Sequence, residues 1–276
     1  MAHLCATFRQ KGTTELISSS GGNAGLAVAT VGGRLGLGVS VIVPETTKPL
    51  VIAKLESLGA SVTIFGKNWN EADALAREKV EDSGGTAAYV SPYDNPLLWT
   101  GHSTLVDEID EQLESKAGAI VVSVGGGGLL CGVLEGCSRR SLTTKVVCSE
   151  TDGASCFKQS WDAKEPITLP GIDSIATSLG ATSCTPVALE RAKSHKGGFC
   201  STACTDEEAV EACVRFAKDH RMLVEPACGA ALAIAYSERL REKCLKDVEG
   251  PIVLEVCGGS GVDVDLLQGW KEEFLS

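Results

Sequence analysis

The sequence predicts an α/β fold of two domains, each a mostly parallel twisted sheet flanked by helices. Short β-rich apolar runs alternate with longer helical patterns, which is typical of parallel sheets with helices on both faces. Glycine-rich turns follow three of the predicted strands, and open α/β sheets bind ligands at that edge. With 276 residues, the chain is long enough for two modest domains that bury sizeable cores.

The predicted elements follow from the spacing of apolar residues. Strands are predicted at residues 15–18, 39–43, 61–65, 87–90, 119–124, 145–148 and 251–256. Helices are predicted at residues 23–34, 49–58, 70–81, 97–113, 129–138, 209–220 and 227–245. We expect residues 151–199 to be less regular and to wrap one face of a sheet. Two prolines in Ser91-Pro-Tyr-Asp-Asn-Pro96 interrupt the pattern, so we predict a small domain at residues 1–95 and a large one at 96–276.

Composition and charge narrow the possible partners. A net charge of −11 with no basic cluster argues against nucleic acid. No segment approaches the roughly 20 apolar residues of a membrane span, and the first residues have no apolar signal core. The twelve cysteines include no C-x-x-C pair, and Cys131, Cys213 and Cys228 lie in apolar helical patterns. Buried free thiols indicate a reducing compartment, so we predict the cytoplasm.

A run of four glycines, Gly125 to Gly128, lies between a predicted strand and a predicted helix. Without Cβ atoms, these residues can adopt positive φ and let several backbone N–H groups converge on one point. The positive end of the following helix adds to the attraction for an anion. We therefore predict a phosphate site here, in preference to a tight turn that needs only one or two glycines.

Two further glycine turns follow predicted strands. Ser18-Ser-Ser-Gly-Gly-Asn-Ala-Gly25 opens a helix and offers hydroxyls, an amide and backbone N–H groups, which suit a carboxylate. Cys257-Gly-Gly-Ser260 follows the last predicted strand. Together, the three turns predict a ligand that carries a phosphate at one end and meets a small anion at the other.

A dinucleotide site is an alternative interpretation of the same turn. The G-x-G-x-x-G pattern fails, because Leu130 or Cys131 stands where the third glycine should be. Glu150 nevertheless ends a predicted strand about 20 residues further on, where a ribose-binding acid is expected. No G-x-x-x-x-G-K-[ST] segment occurs, so a P-loop nucleotidase has no support.

Motifs along nearly the whole chain resemble those of the cytosolic L-serine/L-threonine dehydratases, most closely the serine dehydratase-like branch. The matching segments are Ser19-Ser-Gly-Gly-Asn-Ala-Gly25, Val41-Ile-Val-Pro44, Gly101-His102, Ser123-Val-Gly-Gly-Gly-Gly-Leu-Leu130, Glu150-Thr151, Leu179-Gly180, Leu223-Val-Glu-Pro-Ala-Cys-Gly-Ala-Ala231 and Val256-Cys-Gly-Gly-Ser260. These enzymes are pyridoxal-phosphate lyases of the tryptophan-synthase β fold, fold type II. The resemblance implies that fold and a pyridoxal 5'-phosphate cofactor for this chain.

The resemblance also implies which residues hold the cofactor. Its phosphate would be bound by the backbone N–H groups of Gly125, Gly126, Gly127, Gly128 and Leu129. Asn23 would hydrogen-bond the ring hydroxyl, and Cys257 would face the pyridine nitrogen. Because a thiol is a weaker partner than a carboxylate, the ring nitrogen would stay largely unprotonated, which favours β-elimination over transamination.

Two further sites are implied by the same resemblance. Ser20, Gly21 and Asn23 would receive the substrate carboxylate. Glu150 and three backbone carbonyls match a monovalent-cation site, which in this family takes K⁺. The carbonyls belong to Ala154, Leu179 and Ala181. In this interpretation Glu150 is not a ribose ligand.

The lysine of the family motif has no counterpart in the printed sequence. Family members form their Schiff base through Ser-x-Ser-Phe-Lys-x-Arg-Gly, immediately before the segment that Ala2-His3 matches. The resemblance thus places this lysine upstream of Met1. We expect no catalytic residue within the printed sequence, since its own lysines lie in polar contexts typical of surface amines. We also expect the fold to be N-terminally truncated, with an unpaired sheet edge in the large domain.

The predicted function is conversion of L-serine to pyruvate and ammonia, with L-threonine converted to 2-oxobutanoate. The resemblance implies a homodimer that acts on small amino acids in amino-acid catabolism and gluconeogenesis. Charge and hydropathy predict no nucleic-acid or membrane partner. Two alternatives stand beside it. One is a form that binds pyridoxal phosphate and amino acid without turnover, and the other is a nucleotide-dependent oxidoreductase.

Overall fold

A computed structural model describes residues 1–276 and divides the chain into two compact units, Met1–Gly101 and His102–Ser276. The division falls a few residues after the predicted boundary at residue 95. Pro96 begins a helix instead of a new unit, and Leu98 from its first turn packs in the core of the first unit.

The first unit contains a four-stranded parallel sheet of order β3-β2-β1-β4. Its strands are β1 (Glu15–Ser18), β2 (Gly38–Val43), β3 (Ser61–Ile64) and β4 (Ala87–Tyr89). Its helices are α1 (Ala2–Gln10), α2 (Asn23–Leu35), α3 (Pro49–Ser57), α4 (Trp69–Asp82) and the start of α5 (Pro96–Gln112). Side chains alternate between two cores: Leu16 packs in one and its neighbour Ile17 in the other. Both faces of the sheet are therefore covered.

The second unit contains another four-stranded parallel sheet, of order β7-β6-β5-β8. Its strands are β5 (Ala119–Ser123), β6 (Lys145–Thr151), β7 (Phe199–Cys204) and β8 (Ile252–Leu254). Its helices are α6 (Gly128–Arg139), α7 (Cys156–Ala163), α8 (Pro186–Ser194), α9 (Asp206–His220), α10 (Pro226–Tyr236), α11 (Glu238–Leu245) and α12 (Val264–Phe274). A short 3₁₀ turn covers Thr177–Leu179. The predicted fold class is confirmed.

The structure adds α1 and α12, which the sequence pattern did not predict, and corrects the prediction in two further regions. Residues 151–199 hold two helices, α7 and α8, and β7 follows them as an edge strand that the sequence pattern did not reveal. The single helix predicted at residues 227–245 is two helices, separated at Ser237. The Ser237 hydroxyl accepts the Leu240 N–H and donates to Glu208, so it competes with a continuous helix at that point.

All twelve cysteines are free thiols. Cys131, Cys213 and Cys228 are buried in the second unit, as predicted. None of the helices combines the length and the hydropathy that crossing a membrane requires.

Candidate active site

The turn between β5 and α6, residues Gly125 to Gly128, is called the glycine loop below. Gly127 has a backbone φ of +88°, a left-handed conformation that residues other than glycine rarely adopt. A Cβ atom at Gly127 would lie 2.9 Å from Ala188 Cβ, and one at Gly125 would lie 3.0 Å from Leu179 Cα. The backbone of the loop thus passes so close to its neighbours that side chains at these two positions are excluded.

The carbonyl groups of the glycine loop are tied to the protein, whereas its N–H groups are not. The donors to the carbonyls are the Cys156 thiol to Gly125 (3.5 Å), Thr185 N–H to Gly126 (3.0 Å) and Cys131 N–H to Gly127 (2.9 Å). None of the N–H groups from Gly125 to Leu129 donates to a carbonyl, as expected at the start of a helix. Uncommitted N–H groups beside the positive end of α6 make a cradle for an anion, and a phosphate fits this set of donors.

Glu150, near the end of β6, is fully buried. Its carboxylate accepts the Phe157 N–H (3.0 Å) and the Lys158 N–H (2.6 Å) in the first turn of α7. Burial raises the pKa of Glu150 to about 8, although both hydrogen bonds act in the opposite direction. The side chain therefore serves the N-terminus of a helix, which gives the ribose-binding interpretation no support.

The turn after β8 is held by Glu225, whose role was not evident from the sequence. Glu225-Pro226 begins α10, as the sequence pattern indicates. The Glu225 carboxylate, also buried, accepts the Gly261 N–H (2.7 Å) and the Ser178 hydroxyl (2.5 Å). It thereby joins the turn after β8 to the 3₁₀ turn that contacts the glycine loop. These partners are distant in sequence, so no local spacing could reveal them.

Cys257 lies in the same turn and is the exposed member of the twelve cysteines. Its thiol donates to the Glu255 carboxylate (Sγ to Oε1, 3.0 Å). Although the residue as a whole is exposed, chain packed around the sulfur and the charge of Glu255 raise the pKa of Cys257, so the side chain stays a neutral thiol at neutral pH.

In the first unit, the turn after β1, residues 18–25, is called the serine loop below. The Ser18 hydroxyl donates to the Val90 carbonyl (3.3 Å), and the Ser19 hydroxyl donates to Asp73 (2.6 Å). Ser20 Oγ accepts the Gly22 N–H (3.3 Å), while its own proton has no acceptor in the protein. Among three consecutive hydroxyls, only that of Ser20 can donate to a ligand.

Gly25 sets the shape of the serine loop. A Cβ atom at this position would lie 1.8 Å from the Ser20 carbonyl oxygen, so only glycine lets the loop fold back onto α2. Asn23 is the first residue of α2 and is exposed, and Gly21 lies against Val43 and Thr47.

The remaining predicted site residues lie in the second unit. Leu179 is in the 3₁₀ turn beside the glycine loop, and its carbonyl accepts the Ala181 N–H (2.8 Å). Ala154 follows β6, where its N–H donates to Thr151 (2.9 Å). No cluster of three or more His, Cys, Asp or Glu side chains could hold a metal, so a cation at Glu150 would depend on carbonyl oxygens.

Comparison with known protein families shows which family has this sequence pattern. The model of the family described as pyridoxal-phosphate dependent enzymes matches residues 1–258. The chain belongs to this family. Since these residues include both the serine loop and the glycine loop, the predicted family resemblance is confirmed.

Relatives with similar sequences include a mouse (Mus musculus) protein named serine dehydratase-like, 42% identical over 98% of this chain and 83% of the relative. A bovine (Bos taurus) L-serine dehydratase/L-threonine deaminase is 39% identical over 99% of this chain and 84% of the relative. Among solved structures, an L-serine ammonia-lyase from Rhizomucor miehei superposes with a TM-score of 0.89 and 30% identity, over 99% of this chain and 86% of that one. A threonine deaminase from Solanum lycopersicum, 24% identical with a TM-score of 0.85 over 98% of this chain and 72% of that one, shares the fold.

Proposed function

We propose that the protein is a pyridoxal-phosphate-dependent L-serine ammonia-lyase, which forms pyruvate and ammonia and also converts L-threonine to 2-oxobutanoate. The glycine loop is the observation that carries this proposal, because its free N–H groups and tied carbonyls suit a phosphate. The names of the mouse, bovine and fungal proteins supply the substrate class.

In the second unit, Gly125 to Gly128 and Leu129 would hold the cofactor phosphate through backbone N–H groups. Cys257 would meet the pyridine nitrogen, with its own proton directed to Glu255. When bound, pyridoxal phosphate supplies an electron sink for the carbanion that forms at the substrate Cα atom. A neutral thiol leaves that sink weaker than a carboxylate would, which favours loss of the β-hydroxyl.

In the first unit, the serine loop would bind the substrate carboxylate. Ser20 can donate its hydroxyl proton, and Gly21 can donate its backbone N–H group, which has no acceptor in the protein. The positive end of α2 lies at the same position and favours a negative charge. Asn23, at the start of that helix, is assigned to the carboxylate and to the ring hydroxyl of the cofactor.

We further propose a monovalent cation, K⁺, beside Glu150, coordinated also by the carbonyls of Ala154, Leu179 and Ala181. Burial opposes the ionised form of Glu150 and raises its pKa to about 8, so a cation bound beside the carboxylate would be expected to offset that cost. Replacing choline chloride by KCl at equal ionic strength, at pH 8, is expected to raise the melting temperature. Glu150→Gln is expected to remove that difference, and an unchanged response in this variant would exclude Glu150 as a ligand.

The proposal includes a cytoplasmic homodimer in amino-acid catabolism that feeds gluconeogenesis. Twelve free thiols are consistent with a reducing compartment. Light scattering on the purified protein tests the dimer, since a mass of one chain over a range of concentrations would contradict it.

The decisive test measures cofactor binding and turnover separately. Absorbance and calorimetric titration with pyridoxal phosphate should show binding that Gly127→Ala weakens. Pyruvate formation from L-serine is then measured for the 276-residue chain and for a form extended upstream to include the proposed lysine. We expect turnover from the extended form. Binding without pyruvate from either form would favour the non-catalytic alternative, and no binding of pyridoxal phosphate would refute the proposal.

A further inference from the structure

A buried carboxylate lies directly behind the serine loop. Asp73, on α4, accepts hydrogen bonds from three side chains, one in the serine loop, one on β4 and one on α4 itself. Its Oδ1 atom accepts the Ser19 hydroxyl (2.6 Å) and the Tyr89 hydroxyl, and its Oδ2 atom accepts Arg77 Nε (2.8 Å). Ser19 directly follows β1, and Tyr89 ends β4.

These contacts keep Asp73 ionised. Burial alone would raise the pKa of its carboxyl group, but the hydrogen bonds from Ser19, Tyr89 and Arg77 outweigh burial and lower it. The Arg77 side chain is more than half exposed, so its ion pair contributes little by itself. The contacts that matter are therefore those of the buried Ser19 hydroxyl and the half-buried Tyr89 hydroxyl, and removing a partner of a buried charge is strongly unfavourable.

The position of Asp73 decides which hydroxyl of the serine loop remains available. Because the Ser19 proton is directed to Asp73 and the Ser18 proton to Val90, neither hydroxyl can donate to a ligand. The hydroxyl of Ser20, the next residue, donates to no protein group and is therefore available to donate to a ligand. Fixing Ser19 also fixes the peptide that leads into Ser20, whose carbonyl lies against Gly25.

We infer that Asp73 is a positioning residue that sets the affinity of the serine loop for the α-carboxylate of an amino-acid substrate, without touching the substrate itself. This inference rests on the proposed function, which assigns the carboxylate to Ser20 and Gly21. Asp73 acts through Ser19: the hydrogen bond holds the loop in the conformation in which Ser20 and the Gly21 N–H group can donate to one carboxylate.

A purely structural role makes a different prediction. If Asp73 served only to clamp α4 onto β4, its contact with Tyr89 would matter and its contact with Ser19 would not. Ser19→Ala and Tyr89→Phe are compared because each removes one hydroxyl from the same Oδ1 atom. The two hydroxyls also lie 3.3 Å apart, and Tyr89→Phe leaves the shorter Ser19–Asp73 hydrogen bond of 2.6 Å in place. Asp73→Asn keeps the shape of the side chain but removes the charge that attracts both donors.

The test compares these three variants with the wild-type protein. L-serine is titrated into the protein loaded with pyridoxal phosphate, and hydrogen exchange is followed in peptides that cover the serine loop. We expect Asp73→Asn and Ser19→Ala to weaken L-serine binding about tenfold or more, as the loss of a hydrogen bond to a charged group implies. Both should speed exchange in the serine loop, whereas Tyr89→Phe should stay within about twofold of wild type in affinity.

Circular dichroism and melting temperature show whether each variant folds. Weakening by Tyr89→Phe but not by Ser19→Ala would overturn the inference in favour of the clamp. Equal weakening by both variants, or wild-type affinity in Asp73→Asn, would also overturn it. If the wild-type protein itself does not bind L-serine, the proposed function fails and hydrogen exchange alone decides. Faster exchange in Ser19→Ala and Asp73→Asn, but not in Tyr89→Phe, would then still establish positioning. Equal exchange in all three would refute it.

Discussion

Single glycines determine the shape of both loops, because side chains are excluded by contact, by backbone conformation or by both. Gly25 approaches the Ser20 carbonyl, and Gly127 combines φ +88° with a close contact to Ala188. A side chain at either position would push the backbone away from its neighbour, and the polar atoms of the loop would no longer point at a ligand.

Gly127→Ala tests this at the glycine loop. The substitution places a Cβ atom in a left-handed conformation and against Ala188, so we expect pyridoxal-phosphate affinity to fall about tenfold or more, as loss of one or more phosphate hydrogen bonds implies. Gly250→Ala is the matched control. Gly250 has the same φ of +88° but precedes β8, so it lies at the edge of the sheet opposite to the glycine loop, which follows β5. Both variants should lose stability, and only Gly127→Ala should lose affinity. Calorimetric titration distinguishes them.

Glu150 gives a prediction with a definite sign. Its folded-state pKa of about 8 lies above the value of 4.5 for a solvated glutamate, so the folded state binds the proton more tightly than the unfolded state. The stability that this provides is complete below pH 4.5 and is lost as the pH rises through 8. In choline chloride buffers, Glu150→Gln should therefore show a smaller decrease in unfolding free energy between pH 5 and pH 9 than wild type. Urea unfolding measures this decrease, and an equal decrease in wild type and in Glu150→Gln would contradict the burial argument.

Cys257 offers a third test at this scale. Burial of the sulfur and, after it, the charge of Glu255 raise the pKa of the thiol. Glu255→Gln removes the second cause, so it should lower that pKa and speed alkylation by iodoacetamide at pH 8. Glu249→Gln, in the segment just before β8, is the control. Mass spectrometry reports the modified position, and an unchanged rate in Glu255→Gln would show that the hydrogen bond does not form in solution.

At the scale of secondary-structure elements, α9 shows how a local sequence pattern is extended by tertiary contacts. Thr205 and Glu208, which stand three residues apart in the sequence, form a capping box at the start of α9. The same Glu208 carboxylate also accepts Ser237 and Arg239, so it fixes the start of α11 as well. Burial would raise the pKa of Glu208, but these partners outweigh it and lower the pKa.

Thr205→Ala is expected to lower the unfolding free energy by about 1 kcal/mol, because it leaves the Glu208 N–H without its cap. Thr205→Ser keeps a hydroxyl and should restore most of that loss. Urea denaturation of both variants measures the difference. Equal stability of Thr205→Ala and wild type would mean that water replaces the cap without penalty.

Among the strands of the second unit, the sequence pattern predicted those with continuous apolar character and missed β7, which lacks it. The strand β5, Ala119–Ser123, consists of apolar residues up to its last position, and its prediction was correct to within a residue. The strand β7 reads Phe-Cys-Ser-Thr-Ala-Cys and gives no comparable signal, yet it pairs with β6 over six residues. At the site, glycines next to a predicted strand were recognisable. Asp73 and Glu225 were not, because their partners are brought near only by the folded chain.

At the scale of the whole molecule, each unit has its own sheet and its own cores. Trp69 and Trp99 lie in the first unit, and Trp161 and Trp270 in the second, so tryptophan fluorescence can follow each unit separately. Unfolding of such a chain need not be a single transition.

Leu16→Ala should destabilise the first unit by roughly 2–5 kcal/mol, because Leu16 is fully buried in its core. In a variant with Trp161 and Trp270 replaced by phenylalanine, the urea midpoint should shift strongly on adding Leu16→Ala. In the complementary variant, with Trp69 and Trp99 replaced, the shift should be smaller. Identical shifts in both backgrounds would show that the two units unfold as one cooperative body.

The way in which the glycine loop is built has a consequence for ionic strength. Neither the loop nor its contacts Cys156, Leu179, Thr185 and Ala188 carry a positive charge, so a bound phosphate would be neutralised by fixed backbone dipoles. Proteins that bind phosphate with exposed lysines and arginines lose affinity as mobile ions screen those charges. Oriented peptide groups at a partly buried loop are screened much less, so the cofactor should stay bound over a wide range of salt concentrations.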